Sequence, residues 1–331
     1  MIGRPLVTIT VAACTLLGSQ AQAPSSPPVR AHHALVYDAT EQVVLLAGGS
    51  TPQDGGQRSQ FFSDLWALTD TGWQLRGDLV QQRSGFALAY NPDDRKVWSF
   101  GGFDGQALGD LRVLGHGSWV PSGKHPTLTA AEPGFVYDLG RHRFVLFGGS
   151  GRPGGRNDQT WEFDGTTWRL AVSEGNPPAR QAHAMIYDSR RHVTLVFGGM
   201  VGGGGGGRPQ ALGDTWEYDG RKWVERKEAG PPARFGAGVT FDSRRGVVVL
   251  FGGLGAAGFL GDTWTWDGQR WQQVATTGPA PRGMGYLAYD ARRDRVVLFG
   301  GRKGWPNGDL NDTWEWDGAK WRVWSVGDSA H

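Results

Sequence analysis

Only one of the 331 residues is a cysteine, and it stands at position 14, ahead of everything that reads as folded chain. A body without thiols has no disulfide, no thiolate nucleophile and no cysteine-ligated metal. Long apolar runs are missing too. The one extended apolar stretch, Leu6 to Leu17, is shorter than the roughly 20 residues a membrane-spanning helix needs. Excess charge of either sign is also absent: 34 Lys and Arg face 32 Asp and Glu. Without Arg4, which lies in the N-terminal stretch, the basic count falls to 33 and the balance to about +1. That balance gives no electrostatic footprint for a nucleic acid. What the chain has in quantity is glycine, 54 residues, and tryptophan, 16. Such a composition suits turn-rich β structure with large aromatics in its core rather than disorder.

The glycines carry the organisation. Six Gly-Gly pairs begin at Gly48, Gly101, Gly148, Gly198, Gly252 and Gly300, at intervals of 53, 47, 50, 54 and 48. Each closes an apolar run such as VVLLAGG or FVLFGG. A period near fifty means one supersecondary unit repeated, each copy burying its faces against its neighbours. Other marks keep step. An aromatic followed by Asp or Asn precedes each pair, from Tyr37-Asp38 to Tyr289-Asp290. Seven residues before that aromatic stands an arginine in five copies: Arg30, Arg83, Arg180, Arg234 and Arg282, with Ala130 in the third copy. Downstream, Asp-x-Trp or a variant ends at Trp66, Trp161, Trp216, Trp264 and Trp314, with Arg112 in the second copy. A second tryptophan follows seven residues later in all six, from Trp73 to Trp321.

Each copy therefore reads as four short antiparallel strands, with Asp-Gly and Asn-Pro-Asp-Asp supplying the turns. Glycine fits where a strand must end with φ > 0 or with no room for a Cβ. These marks together resemble the kelch repeat over about residues 29–326. The resemblance implies an all-β fold, a six-bladed β-propeller with four antiparallel strands per blade. We expect residues 31–326 to form the propeller after a lead-in at 24–30, with a tail at 327–331. Blade 6 is expected to close on blade 1 by packing, without exchange of strands between the termini.

Residues 1–23 read as an export signal: Arg4, the apolar stretch, then Ala21-Gln22-Ala23. A periplasmic or secreted location follows as an expectation. The segment Val11-Ala12-Ala13-Cys14 also resembles a bacterial lipobox, which would lipidate Cys14, and both readings stand.

Strand order puts the crossovers between blades and the loops joining strands two and three on one face. Those loops are uneven, and the longest are 50–63 and 200–213. Variable loops on a rigid scaffold are where binding resides. In kelch domains that capture acidic peptides, crossover arginines contact the ligand. The resemblance implies that role for Arg30, Arg83, Arg180, Arg234 and Arg282, at least two of which should reach the channel mouth. The competing reading is that an arginine present in five copies hydrogen-bonds neighbouring carbonyls or the third-strand Asp. His33 and His183 break the pattern three residues after the arginine, where other copies carry Phe86, Pro133, Ala237 and Gly285. Glu132 sits at a crossover of the copy without arginine, where it could face several arginines. Trp305 and Phe259 are candidate exposed aromatics. The Gly202–Gly207 run reads as a flexible linker, since no Lys-Ser/Thr or helix follows to make a phosphate cradle. The Arg-rich turns, such as Arg190-Arg191, read as a solvated rim.

No catalytic set, metal site or cofactor site is expected. The function expected is a monomeric, non-catalytic binding or scaffold module for a protein, acidic peptide or glycan. The alternative is a carbohydrate-active enzyme resembling a periplasmic sialic acid mutarotase, which needs only an acid/base pair and carboxylate-binding arginines. A copper radical oxidase would need a Cys–Tyr crosslink, and the Asp-Thr-Trp motif lacks the order of a sialidase Asp-box.

Overall fold

Apolar strands ending in Gly-Gly, each followed by an aromatic third strand, assemble into six four-stranded antiparallel sheets in sequence order. This computed structural model describes residues 25–325, apart from 79–80, 116–117, 153–154, 173 and 203–208. The expected leader at 1–23 and tail at 327–331 lie outside the described residues, as does the glycine run after Gly202. Blade 1 consists of Ala34–Asp38, Val43–Ala47, Asp64–Thr69 and Gly72–Asp78. Blade 6 consists of Tyr286–Asp290, Arg295–Arg302, Asp309–Trp316 and Trp321–Val323. Each terminal blade is built from its own end of the chain, so the ring closes by packing, as expected. The only helical turn among the described residues is Asp54–Gly56, and no helix is long and apolar enough to cross a membrane.

The six first strands pack against one another around the axis. They enclose a mainly apolar channel of about 390 Å³. The tryptophans fill the wedges between blades. Trp73, Trp119, Trp223, Trp271 and Trp321 are buried, and Trp216 and Trp264 are half-buried against the same clusters. Four indole N–H groups donate to a third-strand threonine of the preceding blade: Trp223 to Thr160, Trp271 to Thr215, Trp321 to Thr263, and Trp73 to Thr313. The last of these crosses the closing seam. In blade 2 that threonine is replaced by buried Leu111, and the indole N–H of Trp168 in blade 3 has no partner.

The Gly pairs explain how blades are joined at the crossover face. All twelve glycines have φ between 56° and 106°. A Cβ on Gly252 would lie 2.5 Å from the Arg282 carbonyl oxygen of the next blade. The second glycine of each pair donates its N–H to that same carbonyl position: Gly49 to Arg83, Gly102 to Ala130, Gly149 to Arg180, Gly199 to Arg234, Gly253 to Arg282 and Gly301 to Arg30, all at 2.8–2.9 Å. Six equivalent bonds run around the whole ring.

The uneven loops are ordered differently from plain loops. In blade 1 the connection folds into its own hairpin, Ser50–Gln53 with Arg58–Phe61. Met200–Val201 pairs with Gln210–Ala211 in blade 4. The blade 1 hairpin raises a wall on the crossover face.

Candidate functional site

The repeat arginines define what the crossover face is not. Arg30, Arg180 and Arg234 are fully buried, and Arg83 and Arg282 nearly so. Each guanidinium forms a bidentate pair with the aspartate opening the third strand of its own blade: Arg30–Asp64, Arg83–Asp110, Arg180–Asp214, Arg234–Asp262 and Arg282–Asp312, at 2.5–3.0 Å. Each also donates to the carbonyl of the first glycine of its blade's pair. Burial alone would raise the carboxyl pKa of Asp214, Asp262 and Asp312, but the guanidinium outweighs it and holds them low. The expectation that two or more of these arginines reach the channel mouth is therefore corrected. A buried guanidinium with two strong carboxylate bonds is already committed, and it fixes the Gly turn to the third strand.

Blade 3 shows the same rule by its exception. It has Ala130 for the arginine, and the residue in the aspartate's place is Gln159, whose Oε1 accepts the Trp161 indole N–H at 3.3 Å. The charge pair is lost as a pair. Arg112, which replaces the tryptophan of blade 2, sends its Nε to Asp110 at 2.5 Å where the other blades send an indole N–H.

His33 and His183 are not brought together. They sit at different blade interfaces, each over the first glycine of the preceding blade: His33, fully buried, against Gly300, and His183, half-buried with both ring nitrogens buried, against Gly148. His33 meets Tyr286 and Phe299 edge-on, and His183 meets Phe147. No side chain hydrogen-bonds either ring, and only the Phe299 backbone approaches His33. Burial, helped by Arg180, pushes His183 down to about 3, so the ring is neutral and packs as an aromatic. Phe86 fills the same position in blade 2. The small histidine site is likewise corrected to interface packing.

The open feature of this face lies one residue earlier in each crossover. His32, Gly85, Glu132, Ala182, Gly236 and Met284 all have φ of 52–63°. Each donates its N–H to the carbonyl of its counterpart in the preceding blade, at 2.7–3.2 Å, closing a ring of six backbone hydrogen bonds round the channel mouth. The left-handed conformation costs a non-glycine residue about 1–2 kcal/mol, and four of these six are not glycine. Two of the four meet across the ring. His32 Nδ1 lies 2.9 Å from Glu132 Oε1, and Gln181 donates to Glu132 Oε2 at 3.0 Å. Glu132, expected to face arginines, is held instead by His32 and Gln181.

Above this pair lies a basin of about 610 Å³. Its floor is His32, Gly85 and Glu132, and its walls come from the blade 1 hairpin, Phe103 and the blade 6 loop. Trp305 is 61% exposed and Phe103 39%. The Arg302 guanidinium supports one face of the Trp305 indole at 4.0 Å and is itself fixed by Asp309 at 2.5 and 3.1 Å. Glu132 also lines the channel below, so the His32–Glu132 pair stands between basin and channel. Phe259 is half-buried beside Gly283. Sequence reading missed His32. Its signal was a histidine two residues after the arginine, at a place where two other copies, Gly85 and Gly236, carry glycine.

The opposite face is tied down. Arg141, Arg191 and Arg293 bond the aspartate that caps their own turn and a third-strand glutamate. Half the expected solvated rim is thus structural, while Arg244 stays exposed. Among the described residues no three His, Cys, Asp or Glu side chains converge as a metal would need.

Six blades, a ring of Arg–Asp pairs and Gly-Gly joints define a kelch-type propeller. The chain belongs to the kelch-repeat family: the KLHDC2/KLHL20/DRC7 Kelch-repeats domain matches residues 137–329. It is 23% identical over 183 residues to Mei4-dependent protein 6 of Schizosaccharomyces pombe, an alignment covering 52% of this chain. That alignment spans 19% of the yeast protein's length. The fold is similar to the solved "Structure of YjhT", with a TM-score of 0.69 at 14% identity, covering 91% of this chain and 99% of that one.

Proposed function

We propose that this chain is an exported, non-catalytic kelch propeller that binds a protein segment, peptide or glycan in the crossover-face basin. One observation carries the reading: the strained His32 and Glu132, paired over the channel mouth, floor a basin walled by exposed aromatics. Unusual backbone held at a site by the surrounding structure is a mark of function. The basin falls within the roughly 300–1,000 Å³ of small-ligand sites. With the five crossover arginines committed to aspartates, an acidic peptide loses its main support. A thermal-shift screen of glycans, acidic peptides and anionic metabolites on residues 24–331, repeated with Glu132→Gln, tests this. Stabilisation that Glu132→Gln abolishes supports the basin, and stabilisation untouched by it overturns the placement. Export is tested by fusing residues 1–30 to a reporter active only outside the cytoplasm.

A second reading has the Glu132–His32 contact in its favour. A carboxylate and an imidazole 2.9 Å apart could relay a proton during ring opening of a sugar hemiacetal, as a mutarotase requires. Faster anomer exchange by NMR, lost in Glu132→Gln, would support it.

A further inference from the structure

We infer that the ligand of the basin is a neutral carbohydrate, stacked on Trp305 and hydrogen-bonded through its hydroxyls to Glu132. The inference rests on the binding reading above and narrows its ligand. Three features of the basin select the class.

The first is the aromatic wall. Trp305 is 61% exposed yet not loose, because Arg302 lies under one face and Asp309 fixes Arg302. A rigid indole with open surface offers a flat apolar platform at low entropic cost. Phe103, itself 39% exposed, leans on Phe61 at 6.1 Å and extends the apolar wall. The C–H face of a pyranose suits such a surface.

The second is the polar complement. An ionised carboxylate is acceptor-only, with about four lone-pair sites, and it suits adjacent hydroxyl donors. Ser50, Ser59 and Ser84 belong to the same lining.

The third is what the basin withholds. An extended peptide binds chiefly by main-chain hydrogen bonds to an open edge. Here the crossover backbone is already paired, Ala31 with Ser50, Ser84 with Phe103 and Ala131 with Ser150, besides the six-membered ring. An acidic ligand needs a guanidinium to spare, and the arginine that lines the basin, Arg302, is bidentate to Asp309. Sugar hydroxyls need neither.

The test is titration calorimetry on residues 24–331. The panel holds neutral tetrasaccharides of glucose, mannose, galactose and N-acetylglucosamine, with N-acetylneuraminic acid and a glutamate-rich peptide as acidic arms. Binding by at least one neutral tetrasaccharide is expected, with little change in Kd between low and high salt, since no charge pair is screened. Trp305→Ala should weaken it roughly tenfold or more, the loss of one stacking ring and its area. Its melting temperature should not change, because the indole is mostly exposed. Glu132→Gln should weaken it as well. Binding of an acidic arm alone, in a salt-dependent manner and sensitive to Glu132→Gln, sinks the neutral-sugar inference and leaves the basin reading standing. Neutral-sugar binding that ignores both variants overturns the two together. No binding by any neutral sugar overturns the inference.

Discussion

Copying blade 3 into blade 4 tests the role assigned to the repeat arginines. Asp214→Gln leaves the Arg180 guanidinium, 0% exposed, without its counter-charge. Removing one partner of a buried pair costs about 3–5 kcal/mol. Arg180→Ala leaves Asp214 in half of its network and strips donors from the Gly198 and Pro178 carbonyls. Asp214 is 20% exposed, so the lower end of the same range applies. The double variant Arg180→Ala with Asp214→Gln reproduces Ala130 and Gln159, and its glutamine can take the Trp216 indole N–H as Gln159 takes that of Trp161. It leaves no orphan charge, so it should cost less than the sum of the singles, with a coupling of about 2–3 kcal/mol. Urea unfolding followed by tryptophan fluorescence gives the three values at pH 7. Acid adds a second readout. The Asp214 carboxyl is held below its ordinary value because Arg180 outweighs burial. Its contribution is therefore complete above the unfolded value near 3.9 and is lost as pH falls through the folded one. The double variant should lose less than wild type in that window. Strict additivity of the singles would refute the pair as a unit and reopen a ligand role for these arginines.

Two further outcomes follow from the interfaces. Trp271→Phe orphans the buried Thr215 hydroxyl and should cost about 1–3 kcal/mol beyond lost packing, whereas Trp168→Phe removes an N–H that is already unpartnered. Denaturant midpoints compare them, and equal losses would refute the threonine bonds as stabilising. His183→Phe should flatten the stability profile between about pH 6.5 and 3, because the unfolded histidine takes a proton there and the buried one, at about 3, does not. At pH 5 the wild type should have lost about 2 kcal/mol through this residue relative to pH 8, and a variant with an unchanged slope would refute the neutral packed ring.

The fold was legible because its signals repeat. Gly-Gly, Trp and Arg recur at fixed offsets, and one reading of one copy serves six. The arginine's role was half legible in the same way. The third copy lacks both Arg and Asp, but Asp158 next to Gln159 disguised the double loss; the two-residue offset to Trp161 and the strand register, Phe147 opposite Thr160, put Gln159 in the aspartate's place. The site was least legible because it does not repeat. His33 drew attention as a pattern-breaking histidine and proved to be packing, while its neighbour His32 faces the mouth. Adjacent residues on a crossover point to opposite environments, and a sequence shows the pair without showing which is which. The His32–Glu132 contact joins residues 100 apart in sequence, from blades that are not neighbours.

The two crossover positions differ in what they demand. At the arginine, the side chain does the structural work, so a change is tolerated only with a matching change at the aspartate. Two residues later the backbone does that work, through a φ near 55° and one N–H to the preceding blade. Any side chain that bears the left-handed conformation is structurally acceptable there, and glycine bears it at least cost. A propeller needing only closure would carry glycine at all six. This one carries His32, Ala182, Met284 and Glu132 against Gly85 and Gly236, and two of the exceptions reach across the ring to each other. The ring thus lets the channel mouth vary without disturbing the blades, which is the condition for one scaffold to present different sites.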